Sequence, residues 1–436
     1  MTGDFGAFVR ARGSGRLVVQ PRMGFSSPDR MRAGLIATKE ADALTVGTIT
    51  LDAHTRVGHL TAVQAALREG IDLNGYPIVS HEPATTGWVL ADTWAPDFPV
   101  QVRHGSAAPL DIFRALTVLG LGASEGGPVS YCLPYGRTPL AESVTNWRDS
   151  VRLFARLRDR GIEPHLETFG GCMLGQLCPP SQLIAISVLE AMFFLQHGVR
   201  SVSVSYAQQT HPEQDREAVA ALRRLCAELL PTDDWHAVVY AYMGLYPQTA
   251  HGAYRLLGQA AELAVTGGAE RLIVKTEAES RRIPTIAENV RALEYASRAA
   301  HRAPAPLPGS APDAHPDSQT YLEAAALVEA VLHLHADVGQ ALLLAFRSGY
   351  LDIPYCLHPD NRGETRSYID ADGRLRWERT GSLPIRHLVP GNRQRQVTST
   401  GLLADLSYVR RMFDSAPMDH EAPLPAHAHG GELGHG

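Results

Sequence analysis

The chain has 436 residues, 44% hydrophobic and 20% charged, with a net charge of −6 from 40 basic and 46 acidic side chains. That length buries a large core, as one big domain or two to three smaller ones. The acidic balance excludes bulk nucleic-acid binding, which needs a concentrated basic face, but leaves room for a local arginine cluster that holds a small anion.

The five cysteines, Cys132, Cys172, Cys178, Cys226 and Cys356, are odd in number and form no CxxC pair. This argues against a disulfide framework or a cysteine zinc site and fits reduced thiols. The opening MTGDFGAFVRARGSG lacks an apolar signal core, and no run of about 18 apolar residues occurs. A cytoplasmic location is expected.

Residues 1–15 read as a polar lead-in containing Gly and Arg. Strand-like and helix-like runs then alternate. The strand candidates are Leu17–Gln20, Leu44–Thr50, Pro77–Val79, Val100–Arg103, Pro128–Tyr131, His165–Phe169, Val199–Tyr206, Ala237–Tyr242 and Arg271–Lys275. They are short, rich in Val and Ile, and bounded by Gly or Pro, as buried parallel strands are. Pro77–Val79 is the weakest of them. Helix candidates lie between, among them Asp29–Ala37, Leu110–Leu119, Leu140–Arg158, Ser181–Gln196 and Glu213–Leu230. A strand-plus-helix unit of roughly 30 residues recurs over residues 16–301, the pattern of a (β/α)8 TIM barrel or of a doubly wound sheet.

Residues 302–318, RAPAPLPGSAPDAHPDS, read as a Pro-rich linker. Residues 319–415 read as an extension: one long helix over Thr320–Arg347, a hairpin over Tyr368–Trp377 turning at Asp372-Gly373, and a final helix over Leu402–Met412. The tail 416–436 carries His420, His427, His429 and His435 among Gly and Pro and reads as disordered.

In a barrel, catalytic groups collect at the C-terminal ends of the strands. Arg22, Arg56 and Arg103 each follow or end a strand candidate; Glu125, Tyr131 and Tyr135 come from ASEGGPVSYCLPYG; Phe169, Met243 and Lys275 end later strands, and Glu279 lies four residues past Lys275. One arginine at a strand end is commonly a surface or salt-bridging residue. Three converging in one mouth repel one another unless an anion is bound, and a dicarboxylate supplies one that guanidinium forks grip in bidentate fashion. Glu125 reads either as a structural ion pair or as a proton acceptor beside a ligand amine. The tyrosines read as core residues with wet tips or as ligand contacts. Lys275 has Glu277 and Glu279 within pairing reach. There is no P-loop, and Asp52, His54 and Gly58 match DxHxxG only with the glycine one place late.

The pieces QPRMG, TLDAHTR, LNGYP, QVRHG, SEGG–VSYCLPY, ETFG, YMGLYP, IVKTEAE and LDIPY, in that order and spacing, resemble the large (E) chain of glutamate mutase, also called methylaspartate mutase. The resemblance runs from about Val18 to Tyr355 and more weakly to about Met412. It implies a (β/α)8 barrel that binds glutamate and the adenosyl part of adenosylcobalamin. A separate small cobalamin-binding (S) chain then supplies the cobalt-ligating histidine, in a heterotetramer of two large and two small chains. No metal site is expected in this chain. The implied reaction is a radical interconversion of L-glutamate and (2S,3S)-3-methylaspartate, a carbon-skeleton isomerisation.

Carried over by position, Arg22, Arg56 and Arg103 match the family's carboxylate-holding arginines and Glu125 the group that contacts the substrate amine. Tyr131, Tyr135, Gln101, His104 and Phe169 match further substrate positions. Lys275 and Glu279 match residues that hold the ribose hydroxyls of the cofactor, and Thr50, Asn74, Pro134 and Met243 match positions near its corrin or adenosyl side. His54 stands where the family usually has tyrosine, Pro128 where a third glycine is common, and LETFGGCMLG departs from the usual piece at the substrate pocket. An aldolase or lyase using Lys275 as a Schiff-base amine, a non-catalytic barrel that keeps the amino-acid pocket, and a related mutase on another acidic amino acid stay open as alternatives.

Overall fold

A computed structural model describes residues 4–13, 15–134, 136–169, 177–304, 317–389 and 398–415. Eight parallel strands form the centre: β1 (Val18–Gln20), β2 (Gly47–Thr50), β3 (Val100–Arg103), β4 (Ala123–Gly126), β5 (His165–Thr168), β6 (Ser201–Ala207), β7 (Trp235–Tyr240) and β8 (Arg271–Ile273). Each pairs with its neighbour in sequence, and β8 returns to β1. A parallel bridge between Val19 and Thr45 links β1 to the run before β2 and closes the ring. With helices outside, this is the (β/α)8 barrel that the alternating pattern predicts.

The fourth strand needs correction. It is Ala123–Gly126, and Pro128–Tyr131 is a turn. Ala-Ser-Glu-Gly has little strand propensity; its place is fixed by ladders to β3 and β5. Pro77–Val79 is not a strand either, and only Tyr76 bridges, to Leu51. The remaining strand candidates agree with β1–β3 and β5–β8 to within a few residues.

Residues 5–13, within the expected lead-in, form a helix under the barrel. Phe5 sits 5.3 Å from the His165 ring and under the Arg271 guanidinium at 5.0 Å. Its partner face is the N-terminal end of the strands, so the helix stoppers the floor.

Helix Pro180–Gln196 is buried almost all round. Its sequence, PSQLIAISVLEAMFFLQ, is apolar on every face, as a helix covered on both sides must be. The extension supplies the outer cover through Gln319–Leu332 and Val338–Ser348. These are two helices where the sequence predicts one: the chain breaks at 333–337, and Asp337 caps the second by accepting from the Gln340 N–H at 2.8 Å. The hairpin is present as β9 (Arg366–Ile369) and β10 (Leu375–Arg379), turning through Gly373 with φ +87°. The last segment is also two helices, Ser399–Leu406 and Tyr408–Asp414.

Most of the linker (305–316), the tail 416–436, Tyr135 and the whole GGCMLG piece lie outside the described residues. Cys132, Cys178, Cys226 and Cys356 are free thiols. Among the described residues no helix is long and apolar enough to cross a membrane.

Candidate functional site at the barrel mouth

Side chains alternate along a strand, so residues two apart share a face. That rule explains the layers inside this barrel. The lower layer is polar rather than aliphatic: Gln20, Thr48, Gln101, Glu167, Ser203, His236 and Arg271 are all fully buried. Arg271 pairs with Glu167 and also donates to Gln20. Gln20 donates to Thr48 Oγ1 and to Gln101 Oε1, each at 2.8 Å, and Gln101 donates to Glu167 at 3.2 Å. Gln101 therefore belongs to this interior network.

Two residues further along β3 comes Arg103. Its Nη2 donates to Glu125 Oε2 at 3.1 Å, and its Nη1 lies 3.6 Å from Glu167 Oε1. The Tyr131 hydroxyl donates to Glu125 and the Tyr240 hydroxyl to Glu167. The His104 backbone N–H also donates to Glu125, at 3.2 Å. Phe169 closes the layer: its ring stands 4.6 Å from Tyr131 and 5.3 Å from Tyr240.

The two carboxylates titrate in opposite directions. Burial pushes both upward. At Glu125 burial outweighs Arg103, so its pKa is raised. At Glu167, Arg271 and Arg103 together outweigh burial, so its pKa is lowered. The two guanidiniums thus keep Glu167 as the anion, while Glu125 holds a proton more tightly than an ordinary carboxylate. Arg103 resists the penalty of burial through Glu125, Tyr240, Tyr131 and Glu167, and stays charged.

His104 is held neutral, its pKa pushed down to about 3 by burial and by Arg56 and Arg103. Its Nδ1 accepts from the Ser106 N–H at 3.0 Å, leaving the proton on Nε2. Arg56 ends a short helix, Ala53–Arg56, which Asp52 caps by accepting from His54 and Thr55 N–H at 2.9 Å. The Asp52–His54 pair is thus a helix cap and neighbour, which accounts for the near-match to DxHxxG. Buried Arg56 Nε, Arg103 Nη1 and His104 Nε2 have no hydrogen-bond partner.

Across the mouth, Arg22 Nη1 pairs with Glu279 Oε1 at 2.5 Å, and Lys275 Nζ lies 3.4 Å from the same oxygen. Lys275 also stands over the Tyr246 ring at 5.1 Å, and the Tyr246 hydroxyl is buried without a hydrogen-bond partner. Thr50 Oγ1 is likewise buried without one. Asn74 accepts from the Ala53 N–H at 2.8 Å and, with His54, lines a cavity of about 440 Å³. Pro134 and Met243 are half-buried. The candidate residues on β1, β3, β4, β5 and β8 or just beyond them therefore share one end of the barrel.

The profile of the family described as Methylaspartate mutase E chain (MutE) matches residues 4–408. The chain belongs to that family. Curated relatives in the same family range include the glutamate mutase epsilon subunit of Escherichia coli O157:H7, 28% identical over 394 residues that cover 87% of this chain and 80% of the relative. That of Treponema denticola is 28% identical over 77% of this chain and 71% of its own length. The Halobacterium salinarum protein is 28% identical over 85% and 78%.

This methylaspartate mutase E-family barrel holds site residues that strand-end reading misses. Glu167, Tyr240 and Arg271 touch or support Arg103 and Glu125, yet lie inside strands. Their signal was present: Glu167 is two residues before Phe169, and Arg271 is four before Lys275, so each shares the inward face of its strand.

Proposed function

We propose that this chain is the substrate-binding large subunit of a mutase that interconverts L-glutamate and (2S,3S)-3-methylaspartate, working with adenosylcobalamin and a small cobalamin-binding chain in a heterotetramer of two chains of each kind. One observation carries the reading. Arg56 and Arg103, whose charges both act on a neutral His104, each keep a buried N–H that makes no hydrogen bond. Buried donors of that kind are costly unless a ligand satisfies them. A carboxylate matches both their charge and their fork geometry. Arg22 stands at the same end of the barrel for the second carboxylate.

The donor set also fits the nucleoside part of the cofactor. Lys275 and Glu279 offer a donor and an acceptor side by side, suited to two adjacent ribose hydroxyls, with the Tyr246 hydroxyl close by. Thr50, Asn74, Pro134 and Met243 would line the remainder. When bound, adenosylcobalamin supplies a carbon radical through homolysis of its cobalt–carbon bond.

The chain's own residues then have three tasks. The arginines hold both carboxylates while the carbon skeleton rearranges, each charge-assisted bond contributing about 1.5–3 kcal/mol. Glu125, its pKa raised by burial, takes a proton from the substrate amine and returns it. Phe169 and Tyr131 wall the pocket, and the partner chain over the mouth excludes water.

The aldolase reading draws no support from Lys275, whose ammonium is paired with Glu279. The deciding experiment mixes this chain with a cobalamin-binding small chain, adenosylcobalamin and L-glutamate, and follows methylaspartate and the paramagnetic signal. Both are expected. Absence of product despite a formed complex overturns the reading; a radical signal with rearrangement of a different acidic amino acid replaces the substrate.

A further inference from the structure

Glu190 lies apart from the cluster at the barrel mouth. It sits on helix Pro180–Gln196, outside the strand ring, and is completely buried. Its Oε1 accepts from the backbone N–H groups of Val129 and Ser130, each at 2.9 Å. Its Oε2 accepts from Ser130 Oγ at 2.8 Å. The Phe169 backbone also faces this carboxylate and helps to hold its pKa down. One side chain therefore anchors the turn after β4 beside the first residue after β5, where the Gly126–Thr168 ladder and the Tyr131–Phe169 ring contact also meet.

The glycines of SEGG fit around this anchor. A Cβ on Gly127 would lie 2.1 Å from Glu190 Oε1, so only glycine lets the carboxylate reach the backbone. Gly126 has φ +127°, and a Cβ there would lie 2.5 Å from the Tyr131 ring. The chain is thus folded tightly back, and Tyr131 is brought over Glu125 while Phe169 is brought against Tyr131.

Three hydrogen bonds on one buried carboxylate are more than a helix–loop contact requires. Burial alone pushes Glu190 upward, to about 7 even with those donors in place. A group kept at that cost, and aimed at two pocket walls, has a positional task.

We infer that Glu190 is a positioning residue of the reaction: it fixes the Tyr131 and Phe169 walls against Arg103 and Glu125 without touching the substrate. The inference rests on the function proposed above. Its effect falls on orientation in the transition state, where a displacement of about 1 Å costs up to about 100-fold. Turnover therefore changes more than substrate affinity.

The test compares wild type with Glu190→Gln and Ser130→Ala, using the full chain with a small cobalamin-binding chain, adenosylcobalamin and L-glutamate. Gln keeps the volume and one acceptor but turns an N–H₂ toward donors. Circular dichroism checks folding, and hydrogen exchange by mass spectrometry follows the peptide spanning Val129 to Tyr131. E190Q is expected to fold, to exchange about tenfold faster in that peptide, and to lose about 10- to 100-fold in kcat with KM changed less than threefold. S130A, which removes one bond of the three, should fall between. Should E190Q not fold, S130A carries the test with the same readouts. An active wild type with unchanged kcat in the folded variants overturns this inference alone. An inactive wild type overturns the proposed function and this inference with it.

Discussion

Arg103 and Glu125 form an ion pair at 3.1 Å whose side chains are only 5% and 1% exposed. A substrate carboxylate entering the mouth meets a guanidinium already hydrogen-bonded through Nη2, whose Nη1 lies 3.6 Å from Glu167 and makes no hydrogen bond. Arg103→Lys should therefore fold, because a cation remains beside Glu125 and Glu167, but should lose the fork. The expected outcome is a loss of about 10- to 100-fold in kcat/KM, matching one to two charge-assisted bonds. Steady-state assays of methylaspartate formation check it, and wild-type kinetics would remove Arg103 from the pocket.

Glu125→Gln separates the proton role from the structural one. Gln keeps an acceptor for Tyr131 and for the His104 N–H but cannot take a proton. Turnover should fall at least tenfold while L-glutamate affinity, measured by calorimetry, shifts much less. Equal losses in both would assign Glu125 to binding alone.

The barrel was legible because its units alternate with short Val-rich strands, and the strand ends gave Arg22, Arg103 and Lys275 their shared level. β4 escaped because Ala123–Gly126 has no branched side chain to announce a strand; only its neighbours hold it there. The floor helix escaped because FGAFVRARG shows little amphipathic pattern and is fixed by Phe5 under Arg271. Glu167 and Arg271 are 104 residues apart. Nothing local to either marks their pairing, since it arises only when the sheet closes. Glu190 was hidden likewise, as one acid in an apolar helix whose partners lie 60 and 61 residues earlier.

The Glu167–Arg271 pair is wholly buried. Glu167→Ala strands the Arg271 charge and should cost about 3–5 kcal/mol. Replacing both partners by apolar residues of similar size, Glu167→Leu with Arg271→Met, should recover much of that stability while still disabling the site, because Arg103 and Tyr240 lose their anion. Urea unfolding of the single and double variants measures the difference. A double variant no more stable than the single would mean the surrounding Gln20 and Gln101 network, and not the charge, sets the cost.

His104 gives the pH dependence its sign. Its folded pKa of about 3 lies below the ordinary value of 6.5. The unfolded chain therefore takes up this proton first, so the stability from burying the neutral ring is present above pH 6.5 and declines as pH falls toward 3. The decline approaches about 1.4 kcal/mol per pH unit. Glu190 and Asp215, each pushed up to about 7, work in the opposite sense, since the folded state holds their protons more tightly. The informative quantity is thus a difference between two proteins. Urea unfolding of wild type and His104→Gln at pH 7.5, 6.0 and 5.0 should show the wild type losing its margin over the variant as pH falls, by about 1.2 kcal/mol between the last two. Parallel curves would mean that His104 protonates in the folded state as readily as in the unfolded one.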